Sequence, residues 1–172
     1  MRRTTARKRE GDRDQPERDD ERPYHATRLP TVAEAVNREV TAEVSAHVLS
    51  GTFPGDLGIE LLEIQDDSVR GRLLVDRRHL HPGGYVHGGV WVALADTVAA
   101  WGTMRNLAPG DSFTTAELKI NVFASGMPGD ELIAVGEPIH RGRRTQVWEV
   151  RVSNDDRLAA NFICTQMVLG SS

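Results

Sequence analysis

A single cysteine, Cys164, stands among the 172 residues of this chain. An internal disulfide framework is therefore excluded, and a reducing cytoplasm is the expected setting. Long apolar runs are also missing. The longest stretch, Val90 to Met104, falls short of the ~20 residues a membrane span needs and carries Asp96 near its middle. Arg2-Arg3 is followed by no apolar segment, so a twin-arginine export signal is not expected. No repeat with a period of ~20–50 residues is visible, which excludes a solenoid or propeller. Hydrophobic residues make up only 39% of the chain, and much of the deficit lies at the N-terminus. Residues 1–23 hold eight Lys/Arg, seven Asp/Glu and almost no apolar side chain. A segment of that composition cannot bury enough surface to fold, so residues 1–28 are expected to be a disordered charged tail. The basic cluster from Arg2 to Arg9 reads as part of that solvated tail. Residues beyond 23 carry 13 basic and 18 acidic side chains, an acidic balance that argues against nucleic acid as a partner.

What remains, residues 29–172, has the length of one domain with a real core. Residues 29–50 predict an amphipathic helix. Thr31 and Glu34 have the spacing of a capping box, and Val32, Val36, Val40, Val44 and Val48 form one stripe. Gly51 and Pro54-Gly55 end it. Two short strands are expected at 58–64 and 68–75, turning at Asp66-Asp67. Four more follow at 114–123, 131–141, 144–152 and 157–169. In the first of these, simple alternation puts Ala116, Leu118, Ile120 and Val122 on one face and Thr115, Glu117, Lys119 and Asn121 on the other.

The chain is organised around residues 81–107, between the two sets of strands. His81-Pro82-Gly83-Gly84-Tyr85-Val86-His87-Gly88-Gly89 is turn chemistry. The apolar run that follows is helix-length and apolar on every face, so it predicts a buried helix, ended by Pro109-Gly110. Segregated strands around one buried helix indicate an α+β fold with an antiparallel sheet. Gly88 and Gly89 sit where this helix starts, and free backbone N–H groups at such an end can hold an oxyanion. Asp96 is the only acid in the helix. A carboxylate in apolar surroundings should have a raised pKa, as a general base or nucleophile requires. Gly88 and Asp96 are eight residues apart, ~12 Å along a helix axis. They cannot meet on one carbonyl within one helix. Acting together requires Gly88 of one subunit to face Asp96 of another, as in a two-fold dimer with antiparallel helices and two equal sites.

The pattern His-Pro-Gly-Gly-Tyr-Val-His-Gly-Gly, with an acid nine residues after the second histidine, resembles the hotdog-fold thioesterases. The match is to the 4-hydroxybenzoyl-CoA and phenylacetyl-CoA thioesterase-like subfamily, over about residues 55–169. The resemblance implies a sheet wrapped around one long central helix, a dimer or tetramer with sites at subunit interfaces, and hydrolysis of an aryl- or short/medium-chain acyl-CoA without a cofactor or metal. It implies that Asp96 activates water or attacks the thioester, that Gly88 donates its N–H with Gly89 beside it, and that His87 holds the turn. His81 stands where the subfamily usually has Asn or Gln to position the reactants. Thr115 matches a Ser or Thr that places the water, with Thr114 as its one-residue alternative. Arg141, Arg143 and Arg144, in a hairpin around Gly142, are the expected grip on coenzyme A phosphates. The alternative reading is a hotdog protein that binds an acyl-CoA or aromatic ligand without turnover. A zinc site of His79, His81 and His87 is disfavoured, because no acidic side chain supports it. Cys164 reads as packing.

Overall fold

The computed structural model describes residues 49–170. The expected tail over 1–28 and nearly all of the expected helix over 29–50 lie outside the described residues; Leu49 is buried and accepts the Thr52 N–H at 3.0 Å. A one-turn helix α1 (Phe53–Asp56) leads into strands β1 (Ile59–Ile64) and β2 (Val69–Leu74). The long helix α2 (Gly88–Arg105) follows, then β3 (Ser112–Val122), β4 (Glu131–Arg141), β5 (Thr145–Asn154) and β6 (Arg157–Leu169). The six strands form one antiparallel sheet in the order β1-β2-β4-β5-β6-β3. Helix α2 packs against all six. This is the expected α+β hotdog architecture, with the six strands close to the expected ranges. Among the described residues, no helix is long and apolar enough to cross a membrane.

The sheet curls around α2, which explains why the helix is apolar on nearly every side. Trp91, Leu94, Ala95, Val98, Ala99 and Trp101 are all buried. Close approach is bought with glycine at the contact points. A Cβ on Gly71 of β2 would lie 2.8 Å from Val98 Cγ2, and one on Gly136 of β4 would lie 3.0 Å from Val98 Cγ1. The two glycines make a saddle for Val98. Gly102 receives the fully buried Trp148 ring of β5 in the same way.

One strand departs from simple alternation. The β3–β6 register shifts between Thr115 and Glu117, so Ala116 is an extra residue. Partners across a ladder share a face. Thr115 pairs with buried Gln166, Leu118 with buried Cys164 and Ile120 with buried Phe162. The bulge therefore puts Thr115 on the helix-facing side with Leu118 and Ile120, and leaves Glu117, Lys119 and Asn121 outside. The expected sharing of one face by Thr115 and Glu117 is corrected.

Candidate active site

The turn before α2 is built from histidines. The Asp76 N–H donates to His79 Nδ1 at 2.9 Å, and His79 Nε2 lies 2.8 Å from the Leu57 carbonyl. Both ring nitrogens of this fully buried side chain are thus occupied, so His79 is a structural pin and has no lone pair for zinc. The Gly83 N–H donates to His81 Nδ1 at 2.9 Å. The neutral ring then carries its hydrogen on Nε2, which makes it a donor at the mouth of the turn. The backbone of His87 is anchored by donating to the His79 carbonyl at 2.8 Å.

His87 is the N-cap of α2, and its Nδ1 accepts the Gly89 N–H at 2.9 Å. The Val90 N–H donates to the His87 carbonyl at 2.9 Å. These two bonds occupy the second and third N–H groups of the helix. The Gly88 N–H is left without a partner among the described residues, and open space lies beside its Cα. The N–H of Gly89, expected as a substrate-binding residue, donates to His87 Nδ1. Among the first three N–H groups of α2, Gly88's is the one without a partner among the described residues.

Asp96 lies two turns further along. Gly88, Val92, Asp96, Ala100 and Met104, each four residues from the next, are exposed or half-buried, whereas most other α2 residues are buried. They form the one stripe of α2 that its own sheet does not cover. Thr115 Oγ1 lies 3.0 Å from Asp96 Oδ1 and 3.1 Å from Gln166 Oε1. Burial pushes the Asp96 carboxyl above the ordinary carboxylate range, while hydrogen bonds from Thr115 and Gln166 oppose the shift. Thr114 is exposed and pairs with the exposed Met167, on the face away from Asp96. Burial also pushes the Cys164 thiol up to about 12, so it is neutral and no nucleophile.

The three arginines part company. Arg141 Nη1 donates to the Asp66 carbonyl at 2.7 Å and to Asn106 Oδ1 at 3.2 Å, tying the β1–β2 turn to the C-terminus of α2. Arg143 and Arg144 instead line a groove of about 610 Å³ with Thr145, Met167 and Val168. Sequence reasoning missed Gln166 altogether. It is fully buried, and a glutamine after Ala160, Phe162 and Cys164 on alternate positions was the signal.

Residues 83–160 match the thioesterase superfamily. The chain is 33% identical over 110 residues to the 1,4-dihydroxy-2-naphthoyl-CoA hydrolase of Listeria monocytogenes, covering 63% of this chain and 89% of that protein. The chain belongs to the thioesterase superfamily. This thioesterase is also 29% identical over 118 residues to the proofreading thioesterase EntH of Cronobacter turicensis, covering 69% and 85% of the two chains. A thioesterase structure from Haemophilus influenzae superposes with a TM-score of 0.71 at 28% identity, covering 77% of this chain and 93% of that one. The thioesterase is accordingly a thioester hydrolase with the hotdog fold.

Proposed function

We propose that this thioesterase hydrolyses aryl- or short/medium-chain acyl-CoA to the free acid and coenzyme A, as a homodimer with two equal interfacial sites. The observation that carries the reading is the uncovered stripe of α2. It holds both the free Gly88 N–H and Asp96, and nothing else on it titrates. Gly88 and Asp96 lie four residues either side of Val92. Antiparallel helices crossing at Val92 would set Gly88 of each chain opposite Asp96 of the other, twice. The outer edge of β3, with Val122 exposed, supplies unpaired backbone groups that a second copy could continue.

In the reaction the thioester oxygen accepts from Gly88 N–H, with His81 Nε2–H as a second donor. Asp96 across the interface takes a proton from water as the water oxygen attacks the carbonyl carbon, or attacks that carbon itself. The negative charge that collects on the oxygen is stabilised where the helix presents its free N–H. Collapse breaks the C–S bond and releases the thiolate, which takes the proton that Asp96 accepted from water; where Asp96 itself attacked, water then opens the resulting anhydride, giving the free acid, the Asp96 carboxylate and the proton that the thiolate takes. His87 keeps the turn fixed, and Thr115 orients the Asp96 carboxylate. Exposed Arg143 and Arg144 would meet the nucleotide phosphates, while Met167 and Val168 line the same groove. An aromatic acyl group is favoured by likeness to the Listeria enzyme, named for a naphthoyl-CoA.

The test is thiol release from a panel of aryl- and alkyl-CoA thioesters, run beside Asp96→Asn. Turnover of one group by the wild type and loss in the variant is the expected result. No release from any thioester, with the fold intact, would replace this reading by that of a ligand-binding protein.

A further inference from the structure

We propose that Gln166 is a positioning residue for the reaction: its buried side-chain amide holds the Asp96 carboxylate, both directly and through Thr115. The inference rests on Asp96 being the base or nucleophile.

Thr115 Oγ1 sits 3.0 Å from Asp96 Oδ1 and 3.1 Å from Gln166 Oε1. A hydroxyl has one hydrogen and cannot give it fully to both oxygens. An ionised carboxylate is the stronger acceptor, so the hydrogen belongs to Asp96. The Thr115 oxygen then needs a donor. Gln166 supplies one if its amide is turned half a revolution, bringing Nε2–H to Thr115. The same half-turn places the amide oxygen near Cys164 Sγ, which lies 3.5 Å from the other end of the amide. Cys164 is a neutral thiol and has a hydrogen to give. Each group in the chain Cys164, Gln166, Thr115, Asp96 then donates to the next, and the second Nε2 hydrogen of Gln166 is left for Asp96 itself.

The placement is forced by the fold. Gln166 and Thr115 are direct partners in the β3–β6 ladder, and the bulge at Ala116 turns Thr115 to the helix side. Gln166 has no exposed surface, so it does not touch water or substrate and acts only through its neighbours. Burying an amide is costly unless its hydrogen bonds are made. A methionine of similar size would pack there without that requirement.

The test is a double-mutant cycle on kcat, with Asp96→Asn as control. Gln166→Met should lower kcat on the order of tenfold, the effect of losing one hydrogen bond to a charged network, with KM nearly unchanged. In a Thr115→Val background the same substitution should lower kcat by clearly less than in the wild type, because the link through Thr115 is already cut and only the direct bond to Asp96 remains. If Gln166→Met does not fold, Gln166→Asn keeps a buried amide one methylene too short to reach Thr115, and the same cycle applies. An unchanged kcat, or an equal loss in both backgrounds, overturns the inference while leaving Asp96 in its role. Retained turnover in Asp96→Asn removes that role and the inference with it.

Discussion

Gly88→Pro is a substitution for which the structure predicts lost chemistry without lost fold. Gly88 is the first residue of α2, the position where proline is best tolerated in a helix. Its φ is not positive, as proline requires. The residue before proline must be extended, and His87 already is, with φ −65° and ψ 140°. The deleted N–H has no partner among the described residues, so no protein hydrogen bond is broken. Stability should hold or rise by ~0.4–1 kcal/mol, because proline narrows the unfolded ensemble more than glycine does. The chemistry should fare differently. Losing one oxyanion donor costs ~10²–10³ in kcat, about 2.7–4 kcal/mol. With His81 Nε2–H proposed as a second donor, the lower end of that range is expected.

The assay is initial-rate thiol release at saturating substrate, with a thermal melt on the same sample. A kcat within threefold of wild type, in a variant that melts normally, would refute the assignment of Gly88. Subunit mixing takes the reasoning further. Gly88→Pro and Asp96→Asn homodimers each lack one half of both sites. After random exchange half the dimers are mixed, and one of their two sites combines an intact Gly88 with an intact Asp96. Activity should return to about a quarter of the wild-type value. No recovery, with exchange demonstrated, would place both residues within one subunit's site and contradict the separation along the helix.

Four further outcomes follow. Asp96→Asn should lose on the order of 10²–10⁴ in kcat, because no other titratable group lies on its stripe. Burial raises the folded-state affinity of Asp96 for its proton above that of the unfolded chain, so the folded state binds more protons, and wild-type stability falls as pH rises from the ordinary carboxylate range through the raised folded-state pKa. Asn escapes this penalty; melts from pH 4 to pH 8 should show the variant gaining on the wild type, and the opposite trend would contradict the burial argument. Arg143→Ala with Arg144→Ala should raise KM for a CoA thioester tenfold or more and leave KM for the matching pantetheine thioester unchanged, since only the former carries the nucleotide phosphates. Trp148→Ala should cost ~3–5 kcal/mol in urea unfolding, because the ring is fully buried against Gly102 and its loss leaves a cavity under α2.

Periodicity and punctuation carried the fold because the sheet and helix obey them locally. Turn residues at Asp66-Asp67 and Gly142 marked where strands end, an unbroken apolar run marked α2, and Pro109-Gly110 marked its end. The Gly88–Asp96 separation was legible for the same reason, since a helix converts residue count into distance. What escaped depends on partners far away in sequence. The bulge at Ala116 exists only in the pairing of β3 with β6, and it decides that Thr115, rather than Thr114, reaches Asp96. Arg141 looked equivalent to Arg143 until the Asp66 turn and Asn106 were seen to occupy it. Gly89 looked equivalent to Gly88 until the His87 ring took its N–H. In both pairs the residue types are alike, and one or two hydrogen bonds separate the free group from the committed one. Sequence gives the inventory of donors, and tertiary contacts decide which are spent on the fold. Gln166 shows the converse. An amide placed among Ala160, Phe162 and Cys164 breaks the local pattern, and a buried polar group persists where another polar group needs it. The group that needs it is Thr115, one hydrogen bond away from the only acid in the helix.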